Sequence, residues 1–455
     1  MIRLLYNLLF PLGFLVFLPG YVRKMHRRGN YRKNAGQRFG FYAPELRRQL
    51  GAHSHTWIHA VSVGEVAIAL KLAAKLRALD PQFRAVLTTT TTTGFAFAER
   101  EAPKWLTVSY NPLDFWPITR RAFAALRPRC IILVEAEIWP NLVAEAHNRG
   151  VAIALVNARL SERSERRFLK VRALVARTFR LLDLVCVQEP RDVARWQALG
   201  VRSDAIKTVG SIKYDPDAVE IDPEMPRAVL RTMGIADDRP IFLAGSTHAG
   251  EEEILARAFL ALRSALPETL LIIAPRHVER SAEVVGALES LELRVVRRSS
   301  SERAEGTPID CVLLDTTGEL RHWYAVASAV FIGKSLTTKG GQNPVEPILA
   351  GKPVVFGPHM ENFATLARSL IERGAATQVR DADELVAAIG DLLREPQRRA
   401  AIVQKAHEVL AAHQGATRRT AELLLSLGAG AVTPASPACN SLATQEAASD
   451  IGRAS

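Results

Sequence analysis

The residues best suited to chemistry lie in Gly340-Gly341-Gln342-Asn343-Pro344-Val345-Glu346, where two glycines precede an amide, a proline and an acid. Two readings of this stretch stand side by side. In one, Asn343 caps a helix, Pro344 takes its first position, and Glu346 reaches back to the Asn343 N–H in a capping box. In the other, the glycines let backbone approach a phosphate, N–H groups at the helix start face it, and Glu346 accepts hydrogen bonds from a ribose diol. A carboxylate is a poor phosphate partner and a good diol acceptor, so the two tasks separate along one turn.

Acids at two other strand-to-helix junctions suit proton transfer. Glu65 follows an expected strand, Trp57 to Ser62, and opens a helix running to about Leu79. It is either a base at a ligand-binding edge or a first-turn acid favoured by the helix dipole by about 0.3–1 kcal/mol. Glu135 and Glu137 stand beside Trp139 after the strand Ile131–Val134, which fits acid–base work, hydroxyl binding or a solvated loop. Thr88 to Thr93, before Gly94, either hold a polar ligand or cap a helix, with capping preferred. Further on, Gly245-Ser246-Thr247-His248-Ala249-Gly250-Glu251 is another helix start able to hold an anion. Arg276, ending the strand Leu270–Ala274, is a phosphate ligand or half of a salt bridge. Asp215-Pro216-Asp217 has the form of a metal-binding DxD, but its proline-rich surroundings and the lack of a following strand argue against it, and no metal or cofactor is expected.

These junctions require parallel strands alternating with helices, in two successive sets. At 455 residues, with 48% hydrophobic and 23% charged content, the chain is globular and longer than one core. Expected divisions are an anchor and basic segment over 1–38, a first Rossmann-like domain over 39–210, a linker over 211–240, a second such domain over 241–428, and a disordered tail over 429–455. The fold class is therefore α/β, with two doubly wound domains facing a cleft. The four cysteines, Cys130, Cys186, Cys311 and Cys439, form no CxxC pair, which argues against a zinc site or disulfide framework.

The net charge of +12 is concentrated after an apolar run. Leu4 to Tyr21 is apolar except for Asn7 and contains Pro11 and Pro19; Arg23, Lys24, Arg27, Arg28, Arg32, Lys33 and Arg38 follow it. A membrane contact is expected, spanning or interfacial, with the bulk of the protein on the cytoplasmic side. Residues 161–182 add Arg163, Arg166, Arg167, Lys170, Arg172, Arg177 and Arg180 to a helical stretch, which is either a solvated face over a packed stripe or a surface meeting lipid phosphates; the second is preferred. Anionic lipid explains the charge more simply than nucleic acid, for which no motif with interleaved aromatics exists.

Taken in order, HAVSVGEV (59–66), the threonine run, EAEIWPNL (135–142), NARLSERS (157–164), IKYD (212–215), AGSTHAGEE (244–252), APRHVER (274–280), TTGEL (316–320) and GGQNPVEP (340–347) resemble the 3-deoxy-D-manno-octulosonic acid (Kdo) transferases of Gram-negative bacteria. The resemblance runs from residue 1 to about 428. It implies a GT-B-type fold and inverting, metal-independent transfer of Kdo from CMP-Kdo to the tetraacylated lipid A precursor, at the cytoplasmic face of the inner membrane. By the same resemblance Glu65 is the catalytic base and Glu137 a second carboxylate near the acceptor. Pro275, Arg276, Thr317, Gly318, Glu319, Asn343, Pro344, Val345 and Glu346 match CMP-binding segments. Ser246, Lys213, Gly340 and Gly341 are further candidates for donor or phosphate contacts. The chain departs from the pattern at Gly333-Lys334-Ser335, where a second glycine is expected, and at Ser211, where asparagine is expected. A sugar-nucleotide epimerase and a catalytically silent nucleotide-binding tether are the rival readings.

Overall fold

The computed structural model describes residues 2–28, 34–51, 55–215, 221–300 and 308–430. They form two compact units, the first from Met1–Cys186, Val193–Lys207 and the chain from Thr420 on, the second from Val187–Asp192 and Thr208–Arg419.

The first unit is built on β1 (Thr56–His59), β2 (Ala85–Thr89), β3 (Leu106–Tyr110), β4 (Cys130–Val134), β5 (Ala152–Ala158), β6 (Leu184–Val187) and β7 (Ile206–Thr208). Their order across the sheet is β3-β2-β1-β4-β5-β6-β7. β1 pairs in parallel with β2 on one side and β4 on the other. Every residue of β1, β2, β4 and β5 is buried, as continuous apolar runs in a sheet covered on both faces must be. Because the chain first runs outward to β3 and then returns to β4, the connections after β1 and β4 diverge and leave a crevice at their carboxyl ends.

The second unit carries β8 (Ile241–Thr247), β9 (Leu270–Pro275), β10 (Val295–Arg297), β11 (Cys311–Leu313), β12 (Ala329–Ile332), β13 (Val354–Phe356) and β14 (Thr377–Gln378). Their order is β10-β11-β9-β8-β12-β13-β14, again parallel. The corresponding crevice lies beyond β8 and β12. Gly333 is obligatory there: a Cβ on it would sit 2.2 Å from the Ser246 carbonyl oxygen.

Several expected boundaries shift. The expected linker 211–240 contains the helix Glu224–Thr232, and Leu230, Met233 and Ile235 join the core of the second unit. Apolar residues in an apparent linker were core positions without a long periodic run. The helix Ala416–Gly430 is divided at Thr420, so the second unit ends before the expected 428. Arg32, Lys33, Asp217, Cys439 and the tail from 431 lie outside the described residues. Cys130, Cys186 and Cys311 are buried free thiols.

The N-terminal segment is one helix, Ile2–Arg28, which belongs to the first unit. Its polar side faces the protein. Asn7 and Asn141 exchange reciprocal amide hydrogen bonds of 2.9 and 3.0 Å, and Arg3 Nε donates to Asn141 Oδ1 at 3.1 Å. The Tyr6 hydroxyl donates to Asp114 Oδ2 at 3.1 Å, while Phe10 stacks on Phe115 with centroids 5.9 Å apart. Leu4, Leu5, Leu8, Leu9, Leu12, Leu15 and Val16 point outward and are exposed. Among the described residues no helix is long and apolar enough to cross a membrane. The basic stretch is two helices, Glu162–Lys170 and Arg172–Phe179, divided at Val171. Within 161–182 the apolar Phe179 and Leu182 are buried, whereas Leu169, Val171 and Leu174 are exposed among the arginines.

Candidate active site

Glu65 stands at the crevice of the first unit because the helix Val63–Leu79 begins directly after β1. Ser62 caps that helix, its Oγ accepting the Glu65 N–H at 3.4 Å. In return, Glu65 Oε2 accepts the Val61 N–H at 2.9 Å and Oε1 accepts the Ser62 hydroxyl at 2.8 Å. This reciprocal cap fixes the side-chain direction, and each oxygen keeps a second lone pair. Burial raises the Glu65 pKa against these stabilising hydrogen bonds, and the charge of Glu135 adds to the rise. The outcome is a held carboxylate with increased proton affinity, as a general base requires.

Glu135 and Glu137 arrive from the adjacent strand β4. Glu135 is in the left-handed region (φ 62°), and its N–H is bound by the Val156 carbonyl at 2.9 Å. Glu137 is pushed up to about 7 by burial and then by the charges of Glu65 and Glu135. The cluster therefore holds the Glu137 proton well above the usual carboxylate range. Nearby His59 is fully buried, with Nδ1 3.1 Å from Thr88 Oγ1 and its ring centroid 6.5 Å from that of Trp139. Burial lowers its pKa to about 4, so it is neutral. His59 Nε2, Thr90 Oγ1 and Trp139 Nε1 are buried without a hydrogen-bond partner among the described residues. The threonine run is structural in large part: Thr91 caps the helix Thr92–Glu101 by accepting the Gly94 N–H at 3.0 Å, and Thr89 and Thr91 both donate to the Val61 carbonyl at 3.1 Å. These bonds brace the loop that carries Glu65.

In the second unit the expected nucleotide segments follow β9, β11 and β12, which with β8 are consecutive in the sheet. At about 4.8 Å per strand they span roughly 14 Å of one edge. Pro275 ends β9 and is buried; Arg276 is exposed, bonded through its N–H to the Thr247 carbonyl at 3.0 Å, and its guanidinium has no ion pair among the described residues. Thr317 and Gly318 (φ 89°) are exposed, while the Glu319 carboxylate accepts from Arg298 Nε at 3.1 Å. Asn343 Oδ1 accepts the Val345 N–H at 3.0 Å, and its amide donates to Glu346 Oε1 at 3.0 Å. Asn343 and Glu346 are thus linked side chain to side chain. The backbone capping box expected of Glu346 is not formed; that motif is built by Glu65 instead. Pro344 and Val345 are buried and Glu346 is exposed.

A family model described as 3-deoxy-D-manno-octulosonic-acid transferase (kdotransferase) matches residues 33–216. The 3-deoxy-D-manno-octulosonic acid transferase of Bordetella pertussis is 37% identical over 406 residues, covering 86% of this chain and 93% of that relative. The chain belongs to the Kdo transferase family. Among solved structures, the glycotransferase of kitacinnamycin (TM-score 0.51, 17% identity, 82% of this chain and 98% of that one) shares its fold. So does a UDP-N-acetylglucosamine 2-epimerase from Listeria monocytogenes (TM-score 0.53, 14% identity, 82% and 96%). The Kdo transferase thus has two parallel-sheet α/β units of the GT-B-like kind.

Three of the further donor candidates are already engaged within the transferase. The Gly340 N–H donates to Glu361 Oε2 at 2.7 Å and the Gly341 N–H to the Lys334 carbonyl at 2.8 Å, so neither is free to face a phosphate. Gly341, at φ 69°, is glycine because a Cβ would lie 2.5 Å from Met360 Sδ. Lys213 Nζ donates to the Asn362 carbonyl at 2.6 Å and lies 4.2 Å from the centroid of the Phe363 ring. Nor does the helix start at Glu251 hold an outside anion. Glu251 is fully buried, and its own carboxylate accepts the N–H groups of His248, Lys334, Ser335 and Leu336 at 2.7–3.0 Å. Ser246 (φ 56°) and Lys334 (φ 57°) are left-handed at the ends of β8 and β12, a strained backbone of the kind that clusters at functional sites. The departure from the expected pattern at Gly333-Lys334 is the trace of that strain in the sequence.

Proposed function

We propose that this Kdo transferase moves Kdo from CMP-Kdo onto a hydroxyl of the tetraacylated lipid A precursor, with inversion and without a metal. The observation that carries the reading is the buried, capped Glu65 carboxylate at the β1–β4 crevice, oriented by Val61 and Ser62 and raised in proton affinity. In this reading Glu65 takes the proton of the acceptor hydroxyl as its oxygen bonds to the anomeric carbon of Kdo. The bond from that carbon to the phosphate oxygen breaks on the opposite face, and CMP leaves with the electron pair. Arg276 offsets charge on the leaving phosphate, and Glu346 binds the ribose diol. Glu137, which keeps its proton until about pH 7, binds the acceptor without adding a full charge beside the base.

A lipid acceptor calls for a membrane-facing surface, and two features of the first unit supply one. The leucine ridge of Ile2–Arg28 and the mixed apolar and basic surface of 161–180 are both exposed. Apolar burial combined with attraction of arginine to anionic headgroups suits seating on the cytoplasmic leaflet of the inner membrane, with Ile2–Arg28 in the interface. Mass spectrometry of the lipid product from purified full-length protein, CMP-Kdo and an acyl-disaccharide acceptor tests the reaction. Addition of Kdo is expected, and a donor-only reaction giving a new sugar isomer would favour an epimerase instead.

A further inference from the structure

The second unit gathers basic side chains between the ends of β8, β9 and β12 that the nucleotide segments leave unused. Glu251 Oε2 accepts the backbone N–H of His248 at 2.9 Å and of Lys334 at 2.7 Å, tying residues from neighbouring strands to a single oxygen. His277, just after β9, has its ring centroid 5.8 Å from that of His248. His248 Nδ1 lies 3.3 Å from the Ser246 carbonyl, an acceptor only, so Nδ1 carries the hydrogen and Nε2 is turned to other partners. The ring is half-buried, His277 is exposed and Lys334 is intermediate. Among the described residues neither the Lys334 ammonium nor the His277 ring has an ion-pair partner. Burial lowers the His248 pKa, the hydrogen bond to Ser246 opposes it, and of the nearby charges Lys334 lowers it and Glu251 raises it, so the ring is a neutral neighbour of the Lys334 ammonium.

We propose that Lys334 and His277, packed around the His248 ring, bind the carboxylate of the acidic sugar on the donor. The inference rests on the reading of the donor as CMP-Kdo and adds the group that recognises the sugar. In a 2-ulosonic acid the carboxylate and the glycosidic oxygen share the anomeric carbon, so the donor presents phosphate and carboxylate side by side. The sheet edge offers matching sites: Arg276 beyond β9 for the phosphate, and Lys334 with His277 around the β8–β12 crevice for the carboxylate. β9, β8 and β12 are consecutive strands, so the sites lie about one to two strand spacings apart, roughly 5–10 Å. Glu251 is the positioning residue, since it fixes both backbones while its charge is consumed by N–H groups below the crevice. A nucleotide carrying a neutral sugar leaves the Lys334 ammonium unpaired, and this makes the cluster a determinant of specificity for sugar acids.

The test compares equilibrium binding of CMP with the KM for CMP-Kdo in the full-length enzyme and in His277→Gln, Lys334→Gln and the double variant, with Lys334→Arg as the conservative control. Loss of a charge-assisted contact is expected to raise the KM for CMP-Kdo about tenfold per site. CMP affinity should stay within about twofold, and Lys334→Arg should recover most of the loss. An unchanged KM overturns the proposal. An equal loss of CMP affinity also overturns it, because the cluster then holds the nucleotide phosphate. If the unaltered enzyme itself fails to bind CMP, the donor reading falls first and takes the carboxylate site with it.

Discussion

Beyond β1 and β4 the first unit collects Glu65, Glu135 and Glu137, whereas beyond β8 and β12 the second collects His248, Lys334 and, from β9, Arg276 and His277. Both crevices lie where the first strand of a unit is flanked on one side by its successor and on the other by a strand reached after the chain has doubled back. Both are edged by left-handed residues, Glu135 in one and Ser246 and Lys334 in the other. The sheet therefore supplies a place, and the side chains supply its chemical character: acids in one unit, and lysine, arginine and histidines in the other. Similar folds serve epimerases as well as transferases, so these side chains, and not the architecture, carry the functional argument.

The contrast can be broken most directly at Glu65. Glu65→Gln keeps the cap but cannot take a proton; transfer in single-turnover assays is expected to fall about 10²–10⁴-fold while CMP binding is unchanged. Retained turnover would remove the base from the first unit.

A next test uses what the two units share. Each buries a neutral histidine, His59 in the first and His413 in the second, both lowered to about 4 by burial. The unfolded value is about 6.5, so the unfolded chain binds more protons between pH 6.5 and 4, and stability falls as pH drops through that window. The loss is on the order of 3 kcal/mol per histidine, read from urea unfolding at pH 7.5 and pH 4.5; equal stability at both would show that the rings are not buried and neutral. Arg276→Ala sharpens the electrostatic side of the comparison: a rise of about 10–100-fold in the Kd for CMP is expected, with the melting temperature unchanged. The smallest effect is at Glu137. Its pKa in the fold, about 7, lies above that of the unfolded chain, so its stabilising contribution is present at low pH and is lost as pH rises through 7. Glu137→Gln should add about 1–2 kcal/mol at pH 8 and nothing at pH 4, allowing for its partial exposure.

Much of this was readable from residue order. Short apolar runs marked β1, β4, β5, β8, β9 and β12, and the acids and Arg276 at their ends follow from strand-to-helix junctions. Three strands left no such mark. β3 (LTVSY) is bounded by neither glycine nor an obvious helix, and β7 and β14 are edge-ward strands with partly exposed residues. Glu251 illustrates a deeper limit. As a first-turn acid beside glycine it looks like part of an anion site, yet it fills that site itself, because its partners at Lys334–Leu336 are more than eighty residues away. Long-range pairing of this kind has no periodic trace. The same holds for Gly340 and Gly341, whose N–H groups are taken by Glu361 and the Lys334 carbonyl.

The first twenty residues show what such pairing entails. Asp114, raised to about 6 by burial, accepts from the N–H groups of Asn141 and Leu142 as well as from Tyr6, and Asn141 lies four positions after Glu137. Trimming the greasy leader to ease purification would strip Asp114 and Asn141 of Tyr6, Asn7 and Arg3, loosening the turn that presents the second acid. A shortened enzyme of that sort would dissolve more readily and catalyse less, and its defect would persist even with a water-soluble acceptor.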